Sequence, residues 1–324
     1  MCRRSAFPAL RKLRLSVLGT LEGTPGDEVI FPLLEDLSID VCPKFTDLPE
    51  APKLSKLAIE GSIFIEGNNQ KISLQAASRY FPSLSSLSLA VSPDDTETTL
   101  QHVKQEWNHK VLPLVAMMLT RCDVLFSSHS SALALWTCFA QLVDLTICEC
   151  DALVHWPENV LQVLVSLRKL SIQSCNKLTG HTEAFDEQSA PAPERGELLP
   201  CLDYLWIVGC ASLVEVPHLP QSLKTLRIEW CSKNIESIVF GQQGDTTLTR
   251  SCETTSSTAV LKLSSAANHP FLPCLESLTI QNFRVLSQIA NLPPSIKTFV
   301  IYHCRSLESL GSCLGELRSL EELA

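Results

Sequence analysis

Aromatic residues make up only 6% of these 324 residues, so leucine rather than phenylalanine or tryptophan has to carry the apolar packing. No apolar run approaches the roughly 18 residues that a membrane-spanning helix requires. The dipeptide Gly-Lys never occurs, which removes the phosphate-cradling loop of nucleotide hydrolases. Neither a G-x-S-x-G elbow nor an H-E-x-x-H helix is present, so the common serine-hydrolase and zinc-protease arrangements are excluded. Nine asparagines include no N-x-[ST] sequon, which fits a chain that does not meet the glycosylation machinery. A net charge of -9 and a pI near 5.4 leave no general basic excess for holding a phosphate backbone. With no catalytic constellation, cofactor-binding motif or metal-ligand spacing, a non-enzyme without cofactors is expected. Recognition is the function left.

What the chain does contain is a recurring phrase. From Leu202 to Leu213 it spells L-x-x-L-x-I-x-x-C-x-x-L, and the same offsets return at Leu10, Leu34, Leu54, Leu84, Leu142, Leu167, Leu223, Leu275 and Ile296. A degenerate copy sits at Leu114, where Met117, Leu119, Cys122 and Leu125 keep the spacing, and another opens at Leu320. Leucines repeated this way every 20 to 29 residues or so define the leucine-rich repeat, one short strand per unit. The expected fold is α/β: a solenoid, or horseshoe, of about twelve irregular repeats with a concave parallel sheet and a convex side of loops, turns and short helices. One such domain is expected over 1–324. It begins at Leu10 without a polar capping unit and stops inside a unit at Ala324, so it reads as part of something longer.

Fourteen cysteines would suggest a disulfide framework in a small secreted domain. Seven of them (Cys42, Cys122, Cys150, Cys175, Cys210, Cys231 and Cys304) instead fall eight residues after the first leucine of a unit. Stacked in one column, their Cβ vectors run parallel and do not point at each other, so buried reduced thiols in a cytosolic setting are expected. Met1-Cys-Arg-Arg-Ser has the basic start of a signal peptide, but Arg11, Lys12 and Arg14 break up the apolar stretch that should come next, and that segment spells a repeat. Prolines at 8, 32, 52, 82, 200, 273 and 294 stand two residues before the first leucine or isoleucine of a unit, at a strand entrance where a missing N–H is harmless. Insertions lengthen the pattern near 63–80, 93–110, 180–197 and 241–257. Within 96–110, Leu100, Val103 and Trp107 recur at helical spacing and predict a short surface helix.

Strand alternation assigns the faces. In Leu202–Val208, Leu205 and Ile207 turn inward while Tyr204, Trp206 and Val208 turn to the concave side. Applied to the neighbouring units, the same register gathers Lys169, Gln173, Tyr204, Trp206, Arg227, Glu229 and Tyr302 on that side, with Trp230 at a strand end. Tyrosine, tryptophan and arginine on adjacent strands are the residues that anchor protein interfaces. They would equally pack beneath a neighbouring domain. The lone C-x-C of Cys148 and Cys150 divides between the two faces and lacks further metal ligands. His155 reads as a surface histidine, and Asp94, Asp95 and Glu97 as a solvated loop.

The phrases LEDLSIDVCPKFTDLPE (34–50), LTICECDALVHWPE (145–158), LWIVGCASLVEVPHLPQSLKTLRIEWC (205–231) and LPPSIKTFVIYHCRSLESL (292–310) carry a resemblance. With cysteine where extracellular repeats usually have asparagine, the chain resembles the leucine-rich-repeat region of plant intracellular nucleotide-binding immune receptors, the coiled-coil class found in cereals, from residue 7 to 324. The G-x-I-P signature of extracellular plant repeats is missing. What the resemblance implies is a cytoplasmic defence protein. Its repeats would sense a pathogen effector or a guarded host protein and restrain an adjoining nucleotide-binding module, with no nucleic acid and no membrane span involved. That module and its nucleotide loop are not within this chain, so nucleotide binding passes to no residue here. The alternative is the substrate-recognition repeats of an F-box-type ubiquitin ligase adaptor, though no F-box precedes these units. A bacterial ligase with attached repeats would need a catalytic cysteine context that is not found.

Overall fold

The computed structural model describes residues 4–5, 7–22, 29–60, 72–90, 97–107, 110–126, 130–180, 198–216, 218–242, 259–265, 272–310 and 317–324. The chain divides into two compact units, Met1–Ala152 and Leu153–Ala324.

In the first unit the strands are β1 (Arg4–Ser5), β2 (Lys12–Ser16), β3 (Val29–Ile30), β4 (Asp36–Asp40), β5 (Lys56–Glu60), β6 (Ser86–Ala90), β7 (Ala116–Thr120) and β8 (Asp144–Cys148). β1 and β3 form a small parallel pair. The others pair in parallel in the order β2–β4–β5–β6–β7–β8, each strand matching the same repeat position of the next. Leu37, Leu57, Leu87, Met117 and Leu145 thus make one inward column, and Ile39, Ile59, Leu89, Leu119 and Ile147 make a second. All ten are buried. A shift of one residue would turn both columns to solvent, so the alternating pattern specifies the register.

Helices α1 (Leu74–Ser78), α2 (Glu97–Trp107) and α3 (Ser130–Trp136) fill the returns between these strands. The Ser73 hydroxyl caps α1 by accepting the Ala76 N–H at 3.1 Å. The helix expected within 96–110 is α2. Its Leu100, Val103 and Trp107 are buried, and it lies against α1 and α3. Trp136 is fully enclosed, its indole N–H donating to the Leu125 carbonyl at 2.9 Å. Residues 63–71, 93–96, 108–109, 181–197 and 243–257 of the expected insertions lie outside the described residues.

In the second unit α4 (Glu158–Val163) precedes β9 (Lys169–Gln173), β10 (Tyr204–Val208), β11 (Thr225–Glu229), β12 (Ile235–Gln242), β13 (Ala259–Ser265), β14 (Ser277–Gln281), β15 (Gln288–Ala290), β16 (Thr298–Tyr302) and β17 (Glu322–Leu323). The repeat strands again pair in parallel, in the order β9–β10–β11–β14–β16–β17. Leu170, Leu205, Leu226, Leu278 and Phe299 stand opposite one another in a buried column. A separate parallel sheet of order β13–β12–β15 also belongs to this unit, an element that the repeat spelling does not announce. Its Ile238, Phe240, Leu261, Leu263 and Ile289 are buried. Both units are stacks of leucine-rich repeats.

Two features end the repeat strands β2, β4, β7, β8, β9, β10, β11, β14 and β16. The residue after each adopts a left-handed conformation: Val17 (φ 55°), Val41 (50°), Arg121 (56°), Glu149 (52°), Ser174 (54°), Gly209 (71°), Trp230 (53°), Asn282 (61°) and His303 (56°). Next comes the cysteine of the pattern, except after Val17 and Asn282, where Leu18 and Phe283 take its place. The cysteine thiol donates to a strand carbonyl of its own unit, as from Cys175 to Gln173 at 3.6 Å and Cys150 to Cys148 at 3.4 Å. In several repeats it also reaches the preceding one, as from Cys122 to Leu89 at 3.3 Å and Cys231 to Ile207 at 3.8 Å. A thiol is small, apolar and still a weak donor, which suits a buried turn with carbonyls left over.

Candidate recognition face

The open face of the second unit's repeat sheet is a grid. Each strand presents the residues two, four and six places after the first leucine or isoleucine of its repeat, because side chains alternate. One row runs Lys169, Tyr204, Thr225, Ser277 and Thr298. The next runs Ser171, Trp206, Arg227, Thr279 and Val300, and the third Gln173, Val208, Glu229, Gln281 and Tyr302. Trp230 follows β11 at the sheet margin, with its N–H donating to the Gln281 carbonyl at 3.0 Å.

Arg227 organises the centre. Its guanidinium carbon lies 5.4 Å from the centroid of the Trp206 ring on the neighbouring strand, within reach of a cation–π interaction. Its Nε donates to Glu229 Oε1 at 2.8 Å, and Nη2 reaches the same oxygen at 2.6 Å. The two partners differ in exposure: the Arg227 side chain is 40% accessible and that of Glu229 only 8%. The carboxylate is enclosed and the cation is presented. Burial by itself pulls the Arg227 guanidinium down, but hydrogen bonding and charge from Glu229, joined by Tyr204, hold it above its ordinary value. Beside this cluster Gln173 donates to the Ser171 hydroxyl at 2.9 Å, and Ser171 is itself buried. The indole nitrogen of Trp206 is buried without a hydrogen-bond partner.

Aromatic surface flanks the cluster. Trp230 is 59% exposed, and Tyr302 is 56% exposed with its ring 4.1 Å from that of His303. Trp230 combines exposure with a positive φ, so it gains little from packing while holding a conformation that favours glycine.

No family model matches this chain, and no curated protein does. One similar solved structure is the crystal structure of a TLR13–ssRNA13 complex, at 14% identity and a TM-score of 0.34. The match covers 97% of this chain, which spans 52% of that one.

All eight residues singled out in the sequence fall within this one unit: Lys169 and Gln173 on β9, Tyr204 and Trp206 on β10, Arg227 and Glu229 on β11, Trp230 just after it, and Tyr302 on β16. Tyr302 stands two strands from Glu229, with Gln281 between them. Sequence reasoning omits Ser277, Thr279 and Gln281, although the register counted from Leu275 places them between the aromatic groups. It also treats Glu229 as a surface group, whereas the structure turns its carboxylate to Arg227. Two residues apart on one strand, they share a face, so their pairing was readable in principle. Cys148 takes an open-face position by strand alternation but is buried there, Cys150 is fully buried, and His155 is half-buried. Among the described residues, no group of three or more His, Cys, Asp or Glu is arranged to hold a metal ion, and no helix is long and apolar enough to cross a membrane.

Proposed function

We propose that this chain is the protein-recognition region of a plant intracellular nucleotide-binding immune receptor, working in the cytoplasm without catalysis or cofactor. Its open sheet face contacts a pathogen effector, a guarded host protein or the receptor's own nucleotide-binding module, and through that contact it restrains the receptor until triggered. The leucine-rich-repeat fold supports a protein-binding role. The spelling with cysteine in the asparagine position supports this receptor class over extracellular repeats. Trp230 is the observation that carries the assignment of the face: an exposed aromatic with a strained backbone is a poor choice for stability and a good one for an interface.

That contrast supplies the test. Trp230→Gly removes the anchor and relieves the backbone, so stability should stay within about 1 kcal/mol of wild type or rise. In a full-length receptor carrying these repeats, the variant should lose triggered cell death or become active without a trigger. The double variant Trp206→Ala, Arg227→Ala should do the same, at some cost in stability because the enclosed Glu229 carboxylate loses its cation. Wild-type responses from both variants, at wild-type protein levels, would remove the face from the mechanism.

A further inference from the structure

We infer that the partner segment received on this face is an acidic one, with a carboxylate seated against Arg227 and Lys169 and an apolar side chain against Trp230. This rests on the recognition reading above and specifies its chemistry.

Charge distribution carries the inference. The whole chain has a net charge of -9, yet the open face from β9 to β16 presents Lys169 and Arg227. Its one carboxylate there, Glu229, is enclosed beneath the arginine. An approaching molecule therefore meets cations first. The entrance edge of the same strands does not reverse this. Arg168 pairs with Asp203 at 3.9 Å and Lys297 with Glu276 at 3.0 Å, while Lys224 lies between those pairs in the ladder. The acidic Glu321 and Glu322 belong to β17 and its approach, beyond that region.

Arg227 is also held ready. Trp206 covers one face of its guanidinium and Glu229 occupies the Nε edge, so little side-chain freedom remains to be lost when a carboxylate arrives. On the far side of Arg227, Ser277, Thr279 and Gln281 give β14 a polar floor between Trp230 and Tyr302. The width from β11 to β16 is two strand spacings, roughly 10 Å, room for one extended polypeptide segment. A single-stranded nucleic acid fits less well. Its affinity comes from several phosphate contacts, and this face presents two cations on a strongly acidic chain.

The experiment uses the full chain, immobilised, against a displayed library of random short peptides, followed by solution affinities of the synthetic winners. Enriched peptides should contain Asp or Glu, and replacing those acids by Asn or Gln should weaken binding about tenfold. Lys169→Gln and Arg227→Gln should each weaken the acidic peptide and leave its amide counterpart unchanged, a coupling that simple misfolding does not produce. Lys169 is exposed, so its variant tests the idea even where Arg227→Gln disturbs Glu229. Winners that need Trp230 but ignore their own acids, Lys169 and Arg227 overturn the acidic specificity and leave the recognition face intact. Winners indifferent to Trp230→Gly and Trp206→Ala remove the face and this inference together. Tighter, Trp230-dependent binding of a single-stranded RNA oligonucleotide also overturns it.

Discussion

At the scale of single residues, the turn after each repeat strand separates structural demand from functional demand. Among the described residues, the left-handed conformation there is occupied by glycine once, at Gly209, and by asparagine once, at Asn282. Both tolerate it, whereas a β-branched residue does so at a cost. Val17 is the clearest misfit, since it has φ 55° and a side chain 65% exposed, with little packing in compensation. Its N–H donates to the Asp40 carbonyl at 2.9 Å, and any L-residue other than proline keeps that bond. Val17→Asn should therefore raise stability by about 0.5–1 kcal/mol, read as a higher urea midpoint at unchanged slope. A lower midpoint would show that the valine methyls contribute more than exposure suggests. Trp230 occupies the same turn with the same handedness, and its bulk finds a reason only outside the fold.

At the scale of elements, the cysteine column and the added sheet each extend what the repeat spelling announces. Burial pushes the thiols of Cys138 and Cys304 above their ordinary value of 9.0. Cys210 is raised as well, through its hydrogen bond with Cys231 and then by burial, while that same bond lowers Cys231. An acid whose folded value is raised stays protonated in the native state after the unfolded chain has begun to ionise. The unfolded state then binds fewer protons, and stability falls as pH rises past the ordinary thiol value. Chemical denaturation should show that alkaline decline, and Cys304→Ser should flatten it. A decline unaltered by that change would place its origin elsewhere. The strand β13 gives a second test. The sequence reading assigns nothing to this stretch, which follows the insertion expected at 241–257, yet it pairs with β12 and also bridges Glu215 through Lys262. Leu261 is fully buried and its neighbour Val260 is 37% exposed. Leu261→Ala should cost about 2–5 kcal/mol, and Val260→Ala less than about 0.5 kcal/mol. Equal effects would mean that β13 is not part of the core.

At the scale of the whole molecule, most of the fold was legible because the period of the apolar residues and the geometry of a strand agree unit after unit. Leu205 and Ile207 could be placed inside, and Tyr204 and Trp206 outside, from alternation alone. What alternation does not encode is how far a side chain bends once on its face. Glu229 and Ser171 share the parity of exposed positions but are buried by Arg227, Trp206 and Gln173 in their vicinity. The sheet of β12, β13 and β15 was illegible for another reason: its strands lie where repeats vary in length, so no period marks them. Since each repeat packs chiefly on its neighbours, damage should also spread by adjacency. Leu205 is matched to Leu170 on one side and Leu226 on the other. Leu205→Asp puts an unpaired charge into that column, where no partner can satisfy it. Amide hydrogen exchange should accelerate first in β9, β10 and β11, while β4 and β5 keep their protection. Uniform loss of protection across all of these strands would mean that the chain unfolds as one cooperative body, and that nearest-neighbour stacking does not set its stability.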